Sequence, residues 1–110
     1  MSTIKEQILK YGLQQYIKKE SLIFLQGEQA AGFYYLARGG VRLFKSDSQG
    51  RELEIARLHD GEFFGEVILF AARSFPVTAR SSCDSLVYYY SKEQIQKLIS
   101  ESPEGAQFFL

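Results

Sequence analysis

The sequence predicts a mainly β fold, a β-sandwich or jelly roll with α-helices flanking it at both ends. Three observations carry this expectation. Short runs rich in strand formers recur between residues 21 and 90, and several alternate apolar with polar side chains. Glycine- and aspartate-containing turn signals separate the runs. Apolar residues at helical spacing appear before and after them. With 110 residues the chain has room for one hydrophobic core and not for two, so a single domain over 1–110 is expected.

Taken in order, Ile4, Ile8, Leu9, Leu13 and Ile17 recur at helical spacing, so 1–19 is expected to be a helical segment with a break or turn at Gly12. The β region follows over 20–90. Its first strand is Ser21–Leu25, ended by Gly27, and its second is Phe33–Ala37. Gly39-Gly40 then reads as a hairpin turn into the alternating Val41–Lys45. The polar stretch Ser46–Gly50 predicts a second hairpin, leading to Glu52–Leu58. Asp60-Gly61 is a further turn before Phe63-Phe64-Gly65 and the apolar Val67–Phe70. Strands follow at Val77–Ser81, opened by Pro76, and at Leu86–Tyr90, which would put Tyr88 and Tyr90 on one face and Tyr89 on the other. Ser91 and Gln94 have the spacing of a capping box, opening a helix over 91–102 with Ile95, Leu98 and Ile99 on its apolar face. Pro103 starts another helix over 103–110. Its apolar ending, Phe108-Phe109-Leu110, suggests a helix that continues further or docks on a partner.

Composition narrows the function. Lysine plus arginine equal aspartate plus glutamate at 13 each, which argues against a nucleic-acid surface. Lys18-Lys19, the densest basic spot, is followed at once by Glu20. One cysteine, Cys83, cannot form an internal disulfide. No signal peptide, lipidation motif or membrane span is legible, so a soluble cytoplasmic protein without membrane contact is expected. His59, the single histidine, cannot build a histidine-rich metal site and reads as part of a polar turn with Asp60. Cys83 reads as a strand-end residue, and no resolving cysteine accompanies it. No nucleophile–base set or phosphate loop is legible, and neither an enzyme nor a resident cofactor or metal is expected.

Leu25–Glu28, Phe33–Leu36 and Gly39–Phe44 together resemble the first half of a cyclic-nucleotide-binding domain. Gly50–Leu58 and Asp60-Gly61-Glu62-Phe63-Phe64-Gly65-Glu66 resemble its middle, ending in the phosphate-binding cassette. Pro76–Ala79 and Leu86–Tyr90 resemble the strands that close it. The ordered set, from about residue 15 onward, is similar to the sensor half of the catabolite-activator and fumarate-nitrate-regulator (Crp/Fnr) family of bacterial transcription regulators. The resemblance implies a double-stranded β-helix, or β-roll, around a ligand cavity. It implies that a short helix after Phe64-Gly65-Glu66 turns free backbone N–H groups toward a phosphate. It also implies that Glu66 meets a ribose hydroxyl and that an arginine followed by serine or threonine neutralises the phosphate.

The candidate ligand-binding residues on this basis are Gly65, Glu66, Val67, Arg73, Phe75, Pro76, Val77 and Thr78. The alignment breaks at the arginine, where Phe75-Pro76 stands instead. Phe75 brings no charge and Pro76 no N–H, so a conventionally bound cyclic AMP is not expected. Arg73, by a loop shift, or Arg80, which shares the face of Thr78, are the alternative phosphate ligands. Glu66 is equally readable as a helix-dipole partner, Gly61 and Gly65 as turn glycines, and Phe63 and Phe64 as core. The expected role is effector sensing. The expected partners are a small effector of unknown identity, a second copy in the full-length protein, and DNA through a C-terminal domain absent from this chain. Three rivals stay open: a cyclic-nucleotide receptor using Arg73 or Arg80, a sensor of another molecule, and a ligand-free interaction module.

Overall fold

The computed structural model describes residues 4–65 and 73–101. The element order is α1 (Ile4–Tyr11), β1 (Leu13–Ile17), β2 (Leu22–Phe24), β3 (Gly32–Arg38), β4 (Val41–Ser46), β5 (Glu52–Leu58), β6 (Glu62–Phe64), β7 (Thr78–Ser81), β8 (Ser85–Ser91) and α2 (Lys92–Glu101). The strands form two antiparallel four-stranded sheets, ordered β1-β8-β3-β6 and β2-β7-β4-β5. The chain passes repeatedly between the two sheets, which is the mainly β roll that the sequence predicts.

Register decides which side chains meet. In the first sheet Leu36 lies opposite Val87 and Tyr34 opposite Tyr89. Leu36 and Val87 join Phe24, Ala30, Val41, Phe64, Phe75 and Ala79 in the core between the sheets. The alternate residues of the same strands, Phe33 and Tyr35 on β3 and Tyr90 on β8, cluster instead with Ile95 of α2, and Leu9 and Tyr11 of α1 pack against them. The first sheet is therefore covered on both faces, which is why β3 is apolar almost throughout. Each large side chain buried in this way stabilises the fold by about 1.5–3 kcal/mol.

The start of α2 follows its sequence signal. The Ser91 N–H donates to Gln94 Oε1 at 2.7 Å, and the Gln94 N–H donates to Ser91 Oγ at 3.3 Å, a reciprocal capping box. The Ser46–Gly50 turn also forms its hairpin, closed around the Asp47 carboxylate, which accepts the N–H groups of Gln49 and Arg51 at 2.9 Å each.

Two expectations are corrected. The helical segment expected over 1–19 ends at Tyr11, and Leu13–Ile17 is strand β1, paired with β8. Leu13 and Ile17 are four apart, a spacing that serves a strand face as well as a helix face. Gly12 sets the boundary: a Cβ there would lie 2.7 Å from the Tyr90 ring, so the chain can pass this ring only without a side chain. Gly39-Gly40 is likewise not a hairpin turn, because β3 and β4 belong to different sheets. It is a crossover, with Gly39 at φ +118° and a Cβ position only 2.2 Å from Ser85 Oγ. The reading of the segment that begins at Pro103 lies outside the described residues.

Candidate functional site

The end of β6 and the approach to β7 meet at one mouth of the roll. Gly65 closes β6 at φ +72°, where an added Cβ would come within 3.1 Å of Phe75 and 3.2 Å of Phe24. The backbone angle therefore favours glycine, and any side chain would press the two rings back by a few tenths of an ångström. Phe75 is 4 % exposed, and its ring stacks on Phe24 at 3.9 Å between centroids and 13° between planes. Phe24 continues the contact to Phe64 at 6.1 Å and Tyr34 at 5.7 Å, and Tyr34 to Tyr89 at 5.1 Å. Aromatic rings thus form one continuous packed series from the mouth into the roll.

Backbone hydrogen bonds fix Phe75 in that place. Its N–H donates to the Glu28 carbonyl at 3.0 Å, and its carbonyl accepts from the Gly27 N–H at 2.7 Å. The Ala30 N–H donates to the Arg73 carbonyl at 2.9 Å, and Gln29 bridges to Ser74. The segment from 73 to 75 is thereby tied to the loop after β2.

The sequence-predicted candidates divide accordingly. Gly65 and Phe75 come together at the mouth. Val77 packs against the core, and Pro76 is exposed. Thr78 is buried, but its Oγ1 accepts the Gln26 N–H at 3.0 Å, a structural task. Arg73 is exposed. Glu66 and Val67 lie outside the described residues. Arg80 requires a correction: it shares the face of Thr78, as alternation demands, but that face is the outer one. Ala79, opposite Leu43, is the fully buried residue, and Arg80 lies opposite Arg42. Among the described residues, no arginine lines the aromatic mouth.

The arginines of this sheet instead form a row on its outside, Arg80–Arg42–Arg57 in register across β7, β4 and β5. Glu20 pairs with Arg42 at 3.0 Å, and Glu54 pairs with Arg57 at 3.0 Å and approaches Arg42 at 3.8 Å. Among the described residues Glu20 is the one non-glycine at positive φ, 63°.

Beside the mouth lies an open cleft of about 270 Å³, lined by Gln15, Glu28, Gln29, Ala31, Tyr34, Phe75 and Tyr89. Burial pushes the Tyr34 hydroxyl up to about 12, and the negative charges available to Tyr89 and Glu28 act in the same direction. Tyr89 is raised too, by burial and by Glu93. The polar members of this cleft escaped the sequence reading as a site. Tyr34 and Tyr89 meet only through the β3–β8 register, and although each, like Glu28, lies in a stretch that resembles the family, no local pattern joins them. A second depression, about 340 Å³, lies at the opposite end of the β1–β8 pair and is lined in part by Lys18, Arg38 and Asp84. The described residues contain no group of three or more histidine, cysteine or carboxylate side chains able to hold a metal ion, and no helix long and apolar enough to cross a membrane. His59 and Asp60 lie in a turn, where the Asp60 carboxylate accepts the Gly39 N–H at 2.7 Å. Cys83 is free and exposed.

Comparison with known proteins places residues 14–102 in a match to the cyclic nucleotide-binding domain model. The chain is similar to the cAMP-activated global transcriptional regulator CRP of Salmonella typhimurium, 34 % identical over 95 residues, covering 84 % of this chain and 44 % of that protein. Among solved structures it resembles the catabolite activator protein of Thermus thermophilus, with a TM-score of 0.83, 30 % identity, and coverage of 91 % of this chain and 47 % of that one. It also resembles the c-di-GMP responsive global regulator CLP of Xanthomonas campestris, with a TM-score of 0.87, 26 % identity, and coverage of 94 % and 52 %. The chain thus spans about half the length of each of these three proteins.

Proposed function

The chain belongs to the cyclic nucleotide-binding domain family of Crp/Fnr regulators, and from that premise we propose that it senses a small effector other than a conventionally held cyclic nucleotide. One observation carries this reading: the ring of Phe75, stacked on Phe24, occupies the mouth where the family's pattern calls for an arginine. A cyclic phosphate brought there would meet rings instead of a guanidinium, and an unpaired buried charge costs several kcal/mol or more. Arg73 is exposed and Arg80 lies on the outer face, so neither is poised to compensate. The printed names of two similar proteins, one cAMP-activated and one c-di-GMP responsive, support the view that one fold serves different effectors.

In this reading the effector biases the arrangement of the helix that follows residue 103, through different affinities for two arrangements. That helix would join two copies and pass the signal to a DNA-binding domain. The role is regulatory, not catalytic, and cytoplasmic. A second reading, a ligand-free interaction module, draws support from the filled aromatic mouth. The polar groups that converge on the neighbouring cleft favour the sensor over it.

The test is isothermal titration of the purified domain with cyclic AMP and cyclic GMP. No heat of binding from either nucleotide on a folded sample is expected. Micromolar binding that is lost on Arg73→Ala or Arg80→Ala would overturn the proposal and restore a cyclic-nucleotide receptor.

A further inference from the structure

We propose that the cleft beside Phe75 is a cation site, taking a small ligand whose ammonium nitrogen sits against the rings of Tyr34 and Tyr89 and faces the carboxylate of Glu28. The proposal rests on the sensor reading above and names the chemical class of its effector. Three observations carry it.

The first is geometry. The rings of Tyr34 and Tyr89 stand 5.1 Å apart at 54°, so they form two walls of a corner rather than a closed stack, and both line the open cleft. A cationic nitrogen is attracted to the faces of such rings. Phe64 stacks on Tyr34 at 5.1 Å and 15°, so the Tyr34 ring is held by the core on one side and lines the cleft with its remaining surface.

The second is the sign of the charge. Glu28 lies on the cleft, with Oε2 accepting the Leu25 N–H at 3.3 Å and thereby held in place. The lining residues include no lysine, arginine or histidine. Arg73, the cation nearest in sequence to the mouth, is exposed and is not among the lining residues. An anion would therefore find a carboxylate and two phenols, while a cation finds complementary charge. The third is polarity at the rim. Gln15 and Gln29 supply amide groups able to hydrogen-bond the uncharged part of a ligand. Glu28 is solvent-facing, so the attraction is modest, and a minimal probe should bind with an affinity on the order of millimolar.

The experiment titrates the whole 110-residue chain with tetramethylammonium chloride and follows the Tyr34 and Tyr89 ring signals and the Gln15 amide by NMR, with sodium chloride at matched ionic strength as control. Saturable shifts confined to these residues are expected. Glu28→Gln, which keeps an acceptor for the Leu25 N–H, should weaken binding about fivefold or more, and Tyr89→Leu similarly. Shifts that fail to saturate, equal shifts with sodium, unchanged affinity in Glu28→Gln, or saturable binding of inorganic phosphate at the same residues would each overturn the cation site. None of those results touches the exclusion of cyclic nucleotides, which the calorimetric titration decides separately.

Discussion

On the inner side of β7, Ala79 is fully buried in the core that holds the stacked rings of Phe24 and Phe75; on the outer side, Arg80 lies opposite Arg42, which lies opposite Arg57. Neighbouring residues of one strand thus face opposite environments. Outside, water screens three guanidinium groups in register, and Glu20 and Glu54 offset much of their repulsion. Even there the fit is imperfect, since Arg42 Nε is buried without a hydrogen-bond partner among the described residues. Inside, no such screening exists, and the roll uses apolar rings. The difference teaches that possession of arginines near the ligand end says little about phosphate binding. What matters is which side of the sheet they occupy, and alternation by a single residue decides that.

Substitutions on the two sides should therefore differ sharply in effect. Phe24→Ala, on the inside, should cost about 3–5 kcal/mol, because Phe24 contacts Tyr34, Phe64 and Phe75 at once and leaves a cavity among rigid rings. Urea unfolding followed by far-UV circular dichroism measures it, and a loss below about 1 kcal/mol would mean that the rings collapse to fill the gap.

A smaller effect of the interior should appear in alkali. The Tyr34 hydroxyl is pushed from 10 up to about 12 in the folded state, so the unfolded chain loses its proton first as pH rises. The stabilisation is complete below the ordinary tyrosine range and is lost progressively as pH climbs from about 10 toward about 12. Urea midpoints across that window should fall less steeply in Tyr34→Phe than in the unaltered chain. Equal slopes would place the alkaline sensitivity elsewhere, with Tyr90, which burial also raises, the next residue to test.

The outer row should yield the smallest change. Glu20→Gly removes an ion pair between partly exposed side chains, worth about 0–1 kcal/mol, but relieves a left-handed backbone angle that costs a non-glycine residue about 1 kcal/mol. The two nearly cancel, and stability should stay within about 0.5 kcal/mol. Glu20→Ala keeps the strain and loses the pair, so it should be the less stable of the two at low salt. Near-equality of the two variants at low salt would show that backbone strain at position 20 is not felt.

Much of this architecture could be read from local pattern, and the parts that could not share a cause. The Ser46–Gly50 hairpin, the Ser91–Gln94 box and the faces of Tyr88, Tyr89 and Tyr90 are set within a few residues, and the sequence carries them. The lack of an arginine at the family's position was legible as the Phe75-Pro76 departure, whereas the exposure of Arg73, which a loop shift could have brought in, was not. By contrast, Leu13–Ile17 satisfies helical and strand spacing alike, and only pairing with β8 selects the strand. Gly39-Gly40 has hairpin chemistry, but which sheet the next strand joins depends on partners far away, Ser81 and Leu58. Arg80 had the right alternation and the wrong side, because alternation fixes faces relative to each other and not relative to a core. The corner of Tyr34 and Tyr89 depends on a register between strands that lie more than fifty residues apart in sequence, and no local motif announces it.

The hydrogen bonds that tie the segment from 73 to 75 to the loop after β2 are made by main-chain atoms. They hold position 75 on its course whichever side chain it carries. The course of the main chain at the mouth is thus set apart from the ring that fills it, although that ring is itself part of the core. On the sensing role proposed above, an exchange at position 75 is expected to alter which molecule the mouth admits while the main-chain ties keep their course.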